Sequence, residues 1–200
     1  MKPVYYLVLA AGVSSRFGRN KLVEVVMGRP VVARVVEAGL KAGLRDVVVV
    51  TGHFRQETME ALKGLTFTEV YNPEYMGGMS TSVRAGVRFI HGQAQAAVVM
   101  PGDMAFMEAE VIRPVLEAYM RSKKPVTVAT YGGRSGHPII FDEAIFHELL
   151  SIDEQGRGMK AVVERHRNEV ERVEVGTPRA LLDIDVPQDI ERAKVELGLA

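Results

Sequence analysis

The chain contains no cysteine and no tryptophan. Without cysteine, disulfides, thiolate nucleophiles and cysteine-ligated metals are excluded, and a reducing, cytoplasmic setting is the expectation that fits. Neither sign of charge is in excess: 25 Lys and Arg residues balance 25 Asp and Glu residues, for a formal net charge of zero. That balance argues against a general nucleic-acid binder, which carries a basic surplus, and against a disordered polyelectrolyte. Long apolar runs are also missing. None approaches the roughly 18 residues that a membrane span needs, and the start, MKPVYYLVLAAG, lacks the basic flank and long apolar centre of a secretion signal. The expectation is a protein with neither a membrane nor a nucleic acid as partner.

What is present is ample core material. The 200 residues are 47% hydrophobic and are read as one domain, residues 1–200. At this size folding removes about 70% of the unfolded chain's surface from water. The charge is neutral in sum and uneven in place. Lys2, Arg16, Arg19, Lys21, Arg29 and Arg34 face a single acid, Glu24, within the first 36 residues. A basic N-terminal segment beside an acidic remainder indicates a localised anion site.

Short apolar runs alternate with amphipathic stretches. Tyr5–Leu9, Val47–Val50, Ala97–Met100 and Val126–Ala129 have the length and branching of strands buried on both faces. Helical spacing is expected over Pro30–Ala42, Glu57–Lys63, Ser80–Ile90, Glu108–Arg121, Met159–His166 and Pro187–Leu197, with Pro30 at a first helical position. The last helix is expected to open at Asp185 or Val186. Tyr131–Phe141, glycine-rich and then apolar, reads as a strand or hairpin, and Glu164–Glu174 as a solvated helix end and loop. This alternation predicts an α/β fold with a mostly parallel, doubly wound sheet.

The segment Leu9-Ala10-Ala11-Gly12-Val13-Ser14-Ser15-Arg16-Phe17-Gly18-Arg19-Asn20-Lys21 follows the first strand, where open α/β sheets bind ligands. Gly12 and Gly18 permit tight turns, and the small Ala10 and Ala11 let a ligand approach the main chain. Free N–H groups there cradle phosphate oxygens. Arg16 offers a planar fork and Lys21 a point charge. Neither the P-loop pattern nor GxGxxG is present. Farther on, Asp103 follows an apolar strand and a Pro-Gly turn, a place suited to holding Mg²⁺ through oxygen or to capping a turn. Asp183 and Asp185 are read as alternating along a late strand and sharing a face, with Asp185 also a candidate cap for the last helix. Gly77–Ser82 precedes a helix, whose N-terminal N–H groups make a polar ligand site or a simple cap. His137, held between Gly136 and Pro138, is either a structural histidine or a donor to a substrate. Met76, Met79, Met100, Met104 and Met107 read as gap-fillers around the site, and His53 stands at a strand end where a base could lie.

LAAGVSSRFGRNK resembles the signature loop of nucleotidyltransferases with a GT-A-like, three-layer Rossmann-like fold. NPEYMGGMSTSVRAGV (Asn72–Val87), PGDM (Pro101–Met104), RSGHPIIF (Arg134–Phe141) and DIDVPQD (Asp183–Asp189) resemble one branch, the molybdenum cofactor cytidylyltransferases. The resemblance implies an enzyme joining CTP to the phosphate of molybdenum cofactor, releasing pyrophosphate; Ala10-Ala11 in the loop is what points to CTP. It implies Arg16, Lys21 and Asp103 as catalytic residues. Leu9, Ala10, Ala11, Gly12, Ser14, Ser15, Gly78, Ser80 and Ser82 would contact nucleotide, and Arg134, Gly136 and His137 the acceptor. Asp103, with Asp183 or Asp185, would hold Mg²⁺, Mn²⁺ being the alternative cofactor. A molybdenum hydroxylase apoenzyme is an implied partner. Two departures stand out: Glu154-Gln155-Gly156-Arg157-Gly158 replaces the family's Asp-x-Gly-Ala-Arg, and Ala105 follows PGDM where proline is usual. The competing expectations are a relative acting on a sugar, polyol or terpenoid-precursor phosphate, and a nucleotide-binding cofactor-insertion chaperone.

Overall fold

The computed structural model describes residues 2–199. Its centre is a seven-stranded sheet built on the apolar runs. Strand β1 (Val4–Ala10) lies in its interior, third from one edge. The two-residue strands β2 (Val25–Val26) and β3 (Arg29–Pro30) form a separate antiparallel ribbon. The larger sheet continues with β4 (Asp46–Thr51), β5 (Thr68–Tyr71), β6 (Ala96–Pro101), β7 (Val126–Tyr131), β8 (Arg134–Asp142) and β9 (Val170–Glu174), in spatial order β5-β4-β1-β6-β8-β7-β9. Strands β1, β4, β5 and β6 are mutually parallel. Strand β8 runs antiparallel to both β6 and β7, and β9 pairs parallel with β7. The sheet is therefore mostly parallel with one reversed strand.

Alternation along β1 builds the two faces. Tyr6 and Val8 enter one core layer, and Leu7 and Leu9 the other. The first layer is closed by α1 (Val31–Lys41), α2 (Arg55–Ala61), α4 (Ala109–Ser122) and α7 (Gln188–Glu196). The second is closed by α3 (Met79–Ile90), α5 (Phe146–Leu149) and α6 (Met159–Arg165). Helices on both faces of a parallel sheet complete a three-layer α/β fold. Glycines set the interlayer distance in places: a Cβ on Gly39 would lie 2.2 Å from the Tyr6 ring, and one on Gly86 2.3 Å from Leu7.

Several expectations are corrected. Pro30 is not the first helical residue. It pairs with Val25 in the ribbon and occupies the N-cap position of α1. Val170–Glu174 is not loop but β9, an edge strand with one half-exposed face. Asp183–Asp185 forms no strand; it is a loop following a 3₁₀ turn at Pro178–Leu181. Its apolar alternation mimics a strand, yet it makes a single rung, Ile184 N to Asp103 O at 3.2 Å. Helix α7 opens at Pro187 without a side-chain cap. Asp189 reaches back instead and accepts from the N–H groups of Asp185 and Val186, both at 2.9 Å. Met100, Met104 and Met107 fill the core, whereas Met76 and Met79 are exposed.

Candidate active site

Three loops meet at the carboxyl ends of β1 and β6. The first, after β1, is shaped by its own turns. Ser14 adopts φ 49° and Gly18 φ 77°, and the Ser14 carbonyl accepts from Phe17 N at 2.9 Å and Gly18 N at 3.2 Å. Asn20 is buried, with its side-chain oxygen accepting from Leu22 N at 3.1 Å and its amide donating to Glu57 at 3.1 Å. That asparagine fixes the short turn Lys21–Val23 and so aims Lys21. The second loop is held against the first, since Gly102 N donates to Leu9 O at 2.8 Å. A Cβ at Gly102 would approach the same carbonyl to 2.8 Å, so only glycine lets β6 hand Asp103 to the site this closely. The third loop carries Asp183 and Asp185.

These loops surround a cavity of about 420 Å³ lined by Leu9, Ala11, Gly12, Ser14, Ser15, Arg16, Lys21, Gly78, Ser82, Asp103, Asp183 and Asp185, with Tyr75, Met76 and Met79 at its other wall. The basic and acidic groups face each other. Lys21 Nζ lies 2.7 Å from Asp103 Oδ2 and 3.3 Å from Asp185 Oδ1, and donates to the Ile184 carbonyl at 2.6 Å. Arg16 Nη1 lies 2.9 Å from Asp185 Oδ2. Burial works against the Lys21 ammonium, but Asp103 and Asp185 outweigh it and hold its pKa above the ordinary lysine value. Burial raises the pKa of Asp183, and the neighbouring Asp103 and Asp185 carboxylates raise it further. Asp103 Oδ1 is buried with no hydrogen-bond partner.

The donor chemistry fits a hard divalent cation. Carboxylate oxygens are the ligands such ions take, and Mg²⁺ is usually held by one or two carboxylates plus substrate phosphates. The unpartnered Asp103 Oδ1 is a ready ligand atom. Among the described residues, no three His, Asp or Glu side chains converge into a metal cluster, so a cation here would complete its shell with substrate oxygens.

Ala10 and Ser80 do not line this cavity. Ala10 is buried behind the loop. Ser80 turns toward a second, adjoining cavity of about 690 Å³, which shares Met79 with the first and is also lined by His137, Ile139, Glu154, Arg157 and Lys160. Glu154 occupies the start of α3, accepting from Ser80 N at 2.6 Å. Ser82 and Thr81 are tied to Asn72, which donates to their hydroxyls at 3.1 and 2.8 Å. Burial pulls the His137 pKa down to about 4, so the ring is neutral at pH 7. Its Nδ1 is buried without a partner, and the His137-Pro138 peptide is cis. Gly136 faces away from both cavities into the Pro178–Leu181 turn, where a Cβ would lie 2.1 Å from Ala180 O. Arg134 is exposed at the start of β8 and lines neither cavity. His53 lies outside the first cavity, with its ring centroid 5.5 Å from that of Tyr75.

Sequence reasoning missed Asn20, Lys160 and the capping role of Glu154. Asn20 was readable as a turn cap just ahead of Lys21. No local pattern marks Lys160 or the Glu154 contact, which spans 74 positions.

Comparison with known proteins bears on this geometry. The chain is 25% identical over 197 residues to the molybdenum cofactor cytidylyltransferase of Escherichia coli (strain K12), covering 97% of each. It is 28% identical over 174 residues to the bifunctional protein GlmU of Caldanaerobacter subterraneus subsp. tengcongensis, covering 86% of this chain but 36% of that one. The chain thus spans about a third of the length of those GlmU relatives. The crystal structure of Rv0371c from Mycobacterium tuberculosis H37Rv superposes with a TM-score of 0.83 at 23% identity, over 96% of this chain and 97% of that one. Rv0371c has also been solved in complex with manganese (TM-score 0.76, 22% identity, 95% and 97% coverage). The family model described as a MobA-like NTP transferase domain matches residues 6–170. A glycine-bent loop, a lysine between two aspartates and that match converge: the chain belongs to the MobA-like NTP transferase domain family.

Proposed function

We propose that the protein transfers the cytidylyl group of CTP to the phosphate of molybdenum cofactor. The observation that carries this reading is the match to the cytidylyltransferase over 97% of both chains, joined to a cavity whose polar lining suits a triphosphate. The acceptor's phosphate oxygen attacks the α-phosphorus of CTP in line with the bond to the β-phosphate. A new P–O–P link forms, the old one breaks, and pyrophosphate leaves with its electron pair. No general base is required, because a phosphate monoester is largely anionic near neutrality.

The protein's contribution is positioning and charge. Arg16 grips the β- and γ-phosphates through its planar fork and receives the leaving pyrophosphate. Lys21 bridges the α-phosphate and the incoming phosphate, remaining charged throughout because its pKa is raised. The loop from Leu9 to Ser15 offers main-chain N–H groups, and Gly78 and Ser82 close the ribose and base end. Asp103, with Asp183 or Asp185, would hold Mg²⁺ or Mn²⁺, which supplies charge neutralisation across phosphate oxygens. In the second cavity, Met79, Val83, Ile139, Met159 and Val163 provide an apolar bed and Lys160 and Arg157 cationic edges. That mixture suits a flat organic acceptor with an anionic end. A neutral His137 is not an anion clamp. Its remaining task there is to hydrogen-bond a polar edge of the acceptor.

The second reading, a sugar phosphate acceptor, keeps the same first cavity and changes only what occupies the second. Pyrophosphate release separates the two. CTP, GTP and ATP are each offered with molybdenum cofactor and with a sugar 1-phosphate. Release with CTP and molybdenum cofactor is expected; release with the sugar phosphate alone overturns the acceptor, and release with GTP alone overturns the base.

A further inference from the structure

An ammonium group has three N–H donors, and Lys21 has spent all of them. They go to Asp103 Oδ2 at 2.7 Å, Asp185 Oδ1 at 3.3 Å and the Ile184 carbonyl at 2.6 Å. Arg16 pairs with the other oxygen of Asp185 at 2.9 Å and keeps most of its five N–H donors free. The two cations assigned to phosphate are therefore bound to the carboxylates assigned to metal. Like charges a few ångströms apart repel strongly where water is scarce, so Lys21 in this position and a dication on the same oxygens exclude one another. A triphosphate offers both cations a richer set of oxygens just across the cavity.

We propose that Lys21 is an internal counter-cation that guards the Asp103–Asp185 pair and gives it up only to a nucleotide. Resting on the nucleotide reading above, this makes metal and nucleotide binding a coupled event. Lys21 swings to the phosphates and both aspartates are released, so that Asp103, whose Oδ1 is already unpartnered, and Asp185 would be free to hold the divalent ion. The metal site is thus closed to free divalent ions and opened by the substrate.

The test is Mn²⁺ binding to the full chain without nucleotide, read by the electron paramagnetic resonance signal of free Mn²⁺. Wild type, Lys21→Met and Arg19→Met are compared. Arg19 sits on the same basic loop but pairs with Glu24, so its loss removes a nearby charge without unlocking the carboxylates. K21M is expected to bind Mn²⁺ about tenfold tighter than wild type or more, and R19M within about twofold of it. K21M binding no tighter than R19M overturns the exchange. If circular dichroism shows K21M unfolded, Lys21→Gln takes its place with the same expectation. A calorimetric titration of wild type with CTP in Mn²⁺ buffer forms the separate arm. No heat of binding there overturns the nucleotide reading, and the Mn²⁺ comparison still decides whether Lys21 guards the pair.

Discussion

Gly136 distinguishes a packing role from a ligand role more cleanly than any other position. In Gly136→Ala the new methyl would lie 2.1 Å from the Ala180 carbonyl oxygen and 2.8 Å from its carbon. Ordinary contact begins near 3.4 Å, so something must retreat by more than an ångström. The two nearest obstacle atoms are main chain of the fully buried Ala180, and only the third, Leu181 Cδ2 at 2.8 Å, belongs to a side chain that can yield. Overpacking costs about 1–3 kcal/mol in ordinary cores, and a rigid neighbour places this case near about 3. For a chain of this size each kcal/mol lowers the melting temperature by about 2–4 °C, so a fall of about 6–12 °C is expected. Thermal melts followed by circular dichroism, with urea titration at 25 °C as a second measure, read it directly. Nucleotide affinity below the transition should be unchanged, because the clash is with the Pro178–Leu181 turn. A melting temperature within about 2 °C of wild type, accompanied by lost acceptor affinity, would refute the packing argument and return Gly136 to the acceptor.

Three more outcomes follow from the same contacts. Lys21→Ala should lower the rate of pyrophosphate release at saturating CTP by about 10²–10³-fold, the usual cost of one preorganised charge-stabilising group; a near-normal rate would remove Lys21 from the chemistry. Arg134→Ala, at an exposed site off both cavities, should keep turnover within about twofold, and a larger loss would mean the acceptor extends over the β7–β8 turn. His137 has a folded pKa near 4 against about 6.5 unfolded, so the unfolded chain binds the extra proton between those values. Its stabilising contribution is whole above about pH 6.5 and is lost as pH falls toward 4, about 2 kcal/mol of it by pH 5. Urea titrations at pH 7 and pH 5 should show that loss in wild type and a smaller one in His137→Gln; equal losses would show that the ring titrates freely.

The central strands were legible because β1, β4 and β6 are apolar on both faces, so their residues read as unbroken runs. The edge strands were harder. Thr68–Tyr71 and Val170–Glu174 keep half their side chains in water, and VERVE in sequence is equally a solvated loop. Within the site, the loop after β1 was readable from Gly12, Arg16 and Lys21 because its chemistry is local. The meeting of Lys21 with Asp185 was not, for it joins positions 164 apart and exists only through the sheet order. The opposed charges at the two ends of the chain were visible; their direct pairing was not.

The reversed strand β8 has a consequence for how such a site diversifies. A parallel strand delivers its last residue to the ligand edge, whereas β8, pairing Ile139 with Val99 and Asp142 with Ala96, delivers its beginning there. The Gly132-Gly133 hairpin and the residues after it thus sit on the same rim as Asp103, yet they belong to a different stretch of chain from the loop after β1. Insertions in that hairpin lengthen one side of the rim while the β1–β6 pairing, which sets the loop after β1 against Asp103, keeps its register. The first cavity and the height of its rim are thereby written in separable parts of the chain, and the second can be rewritten without erasing the first.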